Sequence, residues 1–169
     1  MKLNLVLTAV YIFLNGFFVA AEFALVKTRP SRVKSLAEGG DRRAKRLMKI
    51  LDELDLYLSS CQLGITIASL VLGYLAEPAF ATLIEMGAVA LGWAPPETQI
   101  LHVVAFGAAL TVVTILHMVL GEQAPKIWAI HSAEKASLRF ALPLRIFTLS
   151  FRPLIVVVNA MSNALLRLW

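Results

Sequence analysis

Cysteine and charged residues are scarce in this chain of 169 residues. Cys61 is the only cysteine, which excludes an intrachain disulfide and a cluster of metal-binding thiolates. Charged residues make up 16% of the sequence, whereas a soluble domain carries about 25%. The sequence also lacks a nucleophile motif, a glycine-rich phosphate loop and an HExxH pair, and its three histidines do not stand at metal-ligand spacing. We therefore do not expect an enzyme.

Long apolar segments account for the missing charge. The chain is 59% hydrophobic, and residues 3–21, 56–75 and 100–120 are each nearly free of charge. About 20 apolar residues in a helix, rising about 1.5 Å each, cross the hydrocarbon core of a bilayer. The sequence therefore predicts an all-α integral membrane protein with three transmembrane helices, at about residues 3–26, 55–75 and 100–121.

The basic residues indicate the orientation of these helices. Nine of the sixteen Lys and Arg residues lie between Lys27 and Lys49, whereas residues 76–99 carry three glutamates and no basic residue. By the positive-inside rule, the multi-pass chain has its N-terminus outside and its C-terminus in the cytosol, in the plasma (inner) membrane. The basic residues are then expected to contact membrane lipid rather than nucleic acid. A cleaved signal peptide is the alternative for the first segment, but the positive charge directly after it favours a retained helix.

Shorter helices are predicted between and after the spans. Cytosolic helices are expected at about 31–52, with Ser31 as a cap after Pro30 and a break at Gly39-Gly40. Pro78 is expected to end the second span, and residues 78–91 are too short to cross, which predicts an interfacial or re-entrant helix.

The C-terminal segment has two interpretations. Its polar residues share one helical face, which favours juxtamembrane amphipathic helices at about 132–169, and its apolar length allows a fourth span as the alternative. The helical pattern still runs at Trp169, so we expect a membrane domain of a longer protein. The residues of the polar face are Arg145, Arg152, Asn159, Asn163 and Arg167.

Each predicted span carries a stripe of polar or small residues. Polar groups in hydrocarbon need partners inside the protein, so we expect the three stripes to turn inward and meet. The stripes are Thr8, Asn15 and Glu22 in the first span, Asp55, Ser59, Gln62, Thr66, Ser69 and Gly73 in the second, and Gly107, Thr111, Thr114 and Gly121 in the third.

Two intramembrane acids, Glu22 and Glu122, are the strongest functional candidates. Pro125 is expected to interrupt the third span and to free a helix carbonyl beside Glu122. Together with oxygens of the second-span stripe, these groups predict an all-oxygen site for Mg²⁺, Ca²⁺ or Na⁺ rather than zinc or copper. The candidate ligands are Glu122, Gln62, Thr66, Ser69 and Glu22.

Structural roles are the alternative for these residues. Serine and threonine hydroxyls in membrane helices often bond to their own backbone or to a neighbouring helix. Glu22 is close enough to the predicted interface to pair with Lys27 or Arg29 instead of a bound ion.

Each predicted span contains one distinctive motif. They are Asn15 to Leu25, NGFFVAAEFAL, in the first span, Ser60 to Ser69, SCQLGITIAS, in the second, and Gly121 to Lys126, GEQAPK, at the end of the third. In this order they resemble the transmembrane domain, called DUF21, of the CorC and cyclin M (CNNM) magnesium transporters. The first motif resembles the family's first helix, the second stands at the position of the second-helix motif, and the third is similar to the family's Gly-Glu-x-x-Pro-Lys motif.

The resemblance implies a homodimer of three-helix protomers with a juxtamembrane belt. It implies Mg²⁺ export, coupled to Na⁺ entry, with Glu122 as the acidic ligand and no organic cofactor in this segment. It further implies that a pair of ATP-binding cytosolic CBS domains follows Trp169 as a regulatory partner.

The chain departs from the family pattern at several ligand positions. Family members with a magnesium site carry serines where this chain has Val19 and Ala21, and asparagines in the motif where it has Cys61, Gln62 and Ile65. Two alternatives therefore remain open: a membrane anchor or sensor that does not transport, and a transporter of a different cation.

Overall fold

The computed structural model describes residues 2–90, 92 and 99–166, and the regular structure in these ranges is entirely helical. The predicted all-α fold is therefore confirmed for this part of the chain. The elements are α1 (Lys2–Lys27), α2 (Pro30–Glu38), α3 (Arg42–Asp52), α4 (Leu54–Ala90), α5 (Gln99–Leu116), a π-helical segment (His117–Gln123), α6 (Ala124–His131) and α7 (Ala133–Leu166).

Four helical stretches are long and apolar enough to cross a membrane. They are Leu3–Lys27, Leu54–Ile84, Val103–His131 and Ala133–Leu166. The last one is the segment for which the sequence left a belt or a fourth span open, and α7 runs through it as a single helix of 34 residues. A multi-pass membrane architecture follows from length and composition, and three spans per protomer stays a prediction.

The short helices α2 and α3 lie where the basic segment follows α1. Pro30 is the first residue of α2, where its missing N–H has no intrahelical partner to lose, and Arg29 before it is extended. Asp41 caps α3, since its side chain accepts from the backbone N–H groups of Arg43 (2.7 Å) and Ala44 (3.4 Å). Gly40 supplies the left-handed turn between the helices, with φ of 94°.

The helix α4 continues through residue 78, so the predicted break at Pro78 and the separate helix over 78–90 are wrong. Residue 91 lies outside the described residues. A proline removes one backbone donor, and long membrane helices tolerate that loss when neighbouring groups compensate. The local signal at Pro78 was therefore weaker than the continuing apolar pattern.

The helix α1 is central because each of the three hydrophobic clusters includes some of its side chains. Its N-terminal half packs Ile12 against α4 and α5. Its C-terminal half packs Ala20 and Ala24 against alanines of α6 and α7. A third cluster joins α1 to α3, α4 and α7 through Phe18, Ala21, Leu25, Leu47, Ile50, Cys61, Ala141 and Leu144, with Val33 and Ala44 of the short helices.

The polar stripe predicted for the third span does not turn inward along α5. Ala105, Ala109 and Val113 are buried there, whereas Thr111 and Thr114 are exposed on the surface of the chain. The Thr111 hydroxyl donates to the Gly107 carbonyl of its own helix at 2.8 Å, so it needs no partner from another helix. The small alanines take the inward face because they let neighbouring backbones approach closely.

Candidate functional site

A buried asparagine joins the three parts of the bundle that the motifs occupy. Asn15 of α1 is fully buried. Its Nδ2 donates to the Gly121 carbonyl of the π-helical segment at 3.0 Å, and its Oδ1 accepts from the Ser69 hydroxyl of α4 at 3.2 Å. Both ends of one amide are thus satisfied by different helices, as a polar group inside a membrane protein requires.

Glu122 lies in the π-helical segment next to this amide. π-Helical turns occur mostly as single distortions inside α-helices and often at functional sites. The segment ends at Gln123, and α6 follows with Pro125 in its first turn. The expected interruption at Pro125 therefore takes the form of a widened helical turn, and the chain stays helical through it.

Two glycines allow the π-helical segment to pack tightly. A Cβ atom at Gly121 would come within 2.8 Å of His117 Cδ2, and a Cβ atom at Gly16 within 2.9 Å of Pro125 Cγ. The His117 Nε2 atom lies 3.9 Å from Glu122 Oε1 and has no hydrogen-bond partner among the described residues. The Glu122 side chain is 45% exposed, so it lies at the edge of the bundle rather than in its core.

A second group of oxygens lines a cavity of about 530 Å³ between α1, α4 and α7. Glu22 is the acidic residue of this cavity, and it forms no ion pair or hydrogen bond within the described part of the chain. The pairing of Glu22 with Lys27 or Arg29, considered from the sequence, is not formed. The other polar residues of the lining are Ser59, Gln62, Thr66, Asn159 and Ser162.

Three hydroxyls of this cavity are used as donors elsewhere. Thr66 donates to the Gln62 carbonyl at 2.8 Å, Ser59 to the Asp55 carbonyl at 2.9 Å, and Ser162 to the Val158 carbonyl at 3.0 Å. Each hydroxyl has one proton, so its oxygen lone pairs remain available only as acceptors. The Glu22 carboxyl and the amide oxygens of Gln62 and Asn159 add further acceptors, although the two amides also carry N–H donors. A cation would bind through these oxygens.

The predicted ligands fall into two neighbouring groups. Glu22, Gln62 and Thr66 line the cavity, whereas Ser69 contacts Asn15 and Glu122 lies beside His117. Thr66 and Ser69 are three residues apart on α4, an axial rise of about 4.5 Å. The two groups are thus consecutive along α4, and the described cavity lining does not include Glu122.

The donor set fits a hard cation that keeps part of its hydration. Mg²⁺ prefers oxygen ligands and usually retains several waters, so a single carboxyl with amide and hydroxyl oxygens is a suitable partner. Among the described residues, no three His, Cys, Asp or Glu side chains cluster as a metal site. Any cation here would therefore depend on the neutral oxygens as much as on Glu22.

Sequence reasoning missed two features of this region. Asn15 was placed on the polar stripe of α1, but a bridge between helices has no signature in one helix. Asn159 was assigned to a face turned to the membrane surface, yet it lines the cavity with Glu22. Ile155 of the same helix is buried, and four residues later Asn159 lies on the same face. The position of Asn159 four residues after the apolar Ile155 was the sequence feature that could have indicated an inward-facing Asn159.

Comparison with known proteins identifies the domain. A profile of the cyclin M transmembrane N-terminal domain matches residues 6–169. The UPF0053 protein YhdT of Bacillus subtilis (strain 168) is 43% identical over 162 residues, which cover 96% of this chain and 34% of that protein. The UPF0053 protein YugS of the same strain is 43% identical over 167 residues, which cover 99% of this chain and 38% of that protein.

The chain spans about a third of the length of these curated relatives, 34% of one and 38% of the other. The match therefore concerns the membrane domain and does not extend to the activity of the longer relatives as whole proteins. Because the profile covers nearly the whole chain and the motifs of all three helices stand in family order, the chain belongs to the cyclin M (CNNM) family, which also contains the CorC proteins.

Proposed function

We propose that this domain transports a divalent cation, Mg²⁺, out of the cytosol in exchange for Na⁺, as a homodimer in the plasma membrane. The observation that carries the proposal is the cavity between α1, α4 and α7, where a carboxyl, two amides and three acceptor hydroxyls meet at a bundle of apolar helices. Polar side chains that line a mainly apolar cavity inside a membrane bundle are costly and mark a candidate functional site. Acceptor oxygens select a hard cation.

The two groups of oxygens would form successive positions on one path. Glu22, Gln62 and Thr66 would receive the hydrated ion in the cavity. Ser69 and Glu122 would act next to the π-helical segment, one turn of α4 further on. Asn15 would hold the second position together, because it bonds to both Ser69 and the Gly121 carbonyl next to Glu122.

A flux assay tests this proposal. Proteoliposomes that contain the purified chain and a magnesium-sensitive dye should show a flux that depends on the Mg²⁺ gradient and increases with an opposed Na⁺ gradient. Glu22→Gln and Glu122→Gln keep the shape of the side chain and remove its charge, so each should reduce the flux to background.

Glu38→Gln is the matched control, because Glu38 is an exposed residue of α2 outside the cavity lining. It should transport like the original chain. Equal flux in all three variants, or no gradient-dependent flux in the original chain, would refute the proposal.

The second candidate function is a membrane anchor or sensor that positions regulatory CBS domains without transport. Val19 and Ala21 favour it, since both are buried apolar residues where transporting relatives have serine. A cation titration separates the two functions. Site binding predicts a saturable rise in melting temperature specific to one cation, whereas the anchor predicts only an ionic-strength effect. Parallel titrations with Ca²⁺ and Na⁺ test the third possibility, a different transported cation.

A further inference from the structure

A second cavity, of about 630 Å³, lies between α3 and α7 on the side of the bundle that carries the short helices. Four basic side chains line it, Arg43 and Arg46 from α3 and Lys135 and Arg139 from α7. We call these four residues with their cavity the basic cleft. The two helices cannot separate to relieve the repulsion, because Leu47 and Ile50 of α3 pack with Leu144 of α7 in the buried core.

The described residues balance the charge of the basic cleft only in part. Within the described part of the chain, none of the four cations takes part in an ion pair. Asp41 is the acidic residue of the lining, but its carboxylate caps α3 by accepting two backbone N–H bonds. The lining thus has four positive charges and one negative charge, a net charge of +3.

A neighbouring basic cavity shows the contrast. Its volume is about 330 Å³, and Lys27, Arg29 and Arg32 contribute to its lining. There the protein supplies its own anion, because Glu134 Oε2 lies 2.9 Å from Arg32 Nε. Among the described residues, no carboxylate pairs with the cations of the basic cleft, so an external anion would take the role that Glu134 has in the neighbouring cavity.

Apolar side chains complete the basic cleft. Leu138, Leu142 and Pro143 of α7 belong to the same lining as the cations. Leu142 is 47% exposed, although it is next to a cluster of charges. A soluble phosphate would leave these side chains uncovered, whereas a phospholipid carries its phosphate and its acyl chains on the same glycerol and can cover both parts of the cleft. The combination of guanidinium groups and exposed aliphatic groups therefore favours a lipid.

We propose that the basic cleft binds an anionic phospholipid. Its phosphate would lie between Arg43 and Arg46 on one side and Lys135 and Arg139 on the other, with an acyl chain along Leu142. Such a lipid would bridge α3 to α7 and so connect the short helices to the helix that lines the Glu22 cavity. The inference does not rest on the proposed transport, since it concerns a different cavity and a different ligand.

Lipid binding to the detergent-solubilised chain tests the proposal. Native mass spectrometry should detect phosphatidylglycerol bound at lower concentration than phosphatidylcholine. Since each basic side chain at an anionic lipid surface contributes about fivefold to binding, the double variant R43Q/R46Q should weaken phosphatidylglycerol binding about 25-fold. The double variant K135Q/R139Q removes the two positive charges that α7 contributes to the cleft and should weaken binding to a similar extent. It provides the test if the first variant does not fold.

The matched control is the double variant R42Q/K45Q. Arg42 and Lys45 are exposed residues of the same helix that do not line the cleft, and their loss changes the net charge equally. We expect binding to change less than threefold. Equal losses in the control and cleft variants would indicate diffuse attraction to the basic surface and would overturn the proposal.

Two further binding measurements show whether the bound phosphate belongs to a lipid or to a soluble compound. Soluble glycerol phosphate should compete at least tenfold more weakly than phosphatidylglycerol, because it lacks the acyl chain. Equal competition would assign the cleft to a soluble phosphate compound and overturn the lipid assignment. Equal binding of phosphatidylcholine and phosphatidylglycerol by the original chain would overturn the proposal without any variant.

Discussion

Replacing Asn15 by alanine should loosen the contact between α1, α4 and the π-helical segment. The Asn15 amide bonds to Ser69 at 3.2 Å and to the Gly121 carbonyl at 3.0 Å, and the side chain is fully buried. Interhelical hydrogen bonds in membrane proteins contribute about 0.6 kcal/mol on average and about 1.7 kcal/mol at most. Loss of both bonds should therefore lower the free energy of unfolding by roughly 1 to 3 kcal/mol.

A double-mutant cycle isolates one of the two bonds. N15A, S69A and the double variant are compared by reversible unfolding in detergent micelles, which yields the interaction free energy between the two side chains. We expect a value between about 0.6 and 1.7 kcal/mol. Thr66→Ala is the matched control, because its hydroxyl bonds within α4 to the Gln62 carbonyl and should combine additively with N15A.

The cycle can contradict the structure in two ways. If N15A and S69A combine additively within about 0.3 kcal/mol, the two side chains do not interact. If T66A couples to N15A as strongly as S69A does, the effect is a general loosening of α4 and not a specific bond.

Two other substitutions have equally definite outcomes. Gly64→Ala should lower the free energy of unfolding by about 1 to 3 kcal/mol, because the new Cβ atom would lie 2.6 Å from the Phe18 ring. Gly73→Ala is the control and should leave the stability unchanged, because there is open space around Gly73. Similar melting temperatures for the two variants would contradict this packing. Arg32→Gln should cost less than about 1 kcal/mol and only at low salt, since the Arg32 side of its pair with Glu134 is 67% exposed. A large loss that persists in high salt would show that Arg32 has another structural role.

The polar stripes were only partly predictable from the sequence. Periodicity correctly placed Gln62 and Thr66 on one face of α4, because residues four apart in a helix share a face. It did not show that Thr111 and Thr114 point away from the bundle, because a threonine that bonds to its own helix is stable on either side. Which face of a helix turns towards the bundle depends on where small residues allow a neighbouring helix to pack. That neighbouring helix comes from a distant part of the chain.

The two acids show the same limit. Sequence reasoning selected Glu22 and Glu122 and expected them to meet at one point with the oxygens of α4. Glu22 lines the cavity with Gln62 and Thr66, whereas Glu122 lies beside His117 in the π-helical segment, outside the described lining of that cavity. The helical turn preceding Pro125 widens instead of breaking, and the chain packs closely at Gly16 and Gly121 beside it.

The amino-acid sequence by itself determined that the chain is helical, that it is built for a membrane and that it belongs to the cyclin M family. These properties depend on segment length, charge and motif order, all of which can be read directly along the sequence. Only the tertiary structure decided that Asn15 bridges three elements, that Asn159 of α7 lines the cavity with Glu22 and that four basic side chains meet between α3 and α7. The physical reason is that partners far apart in the chain become neighbours only when the helices pack.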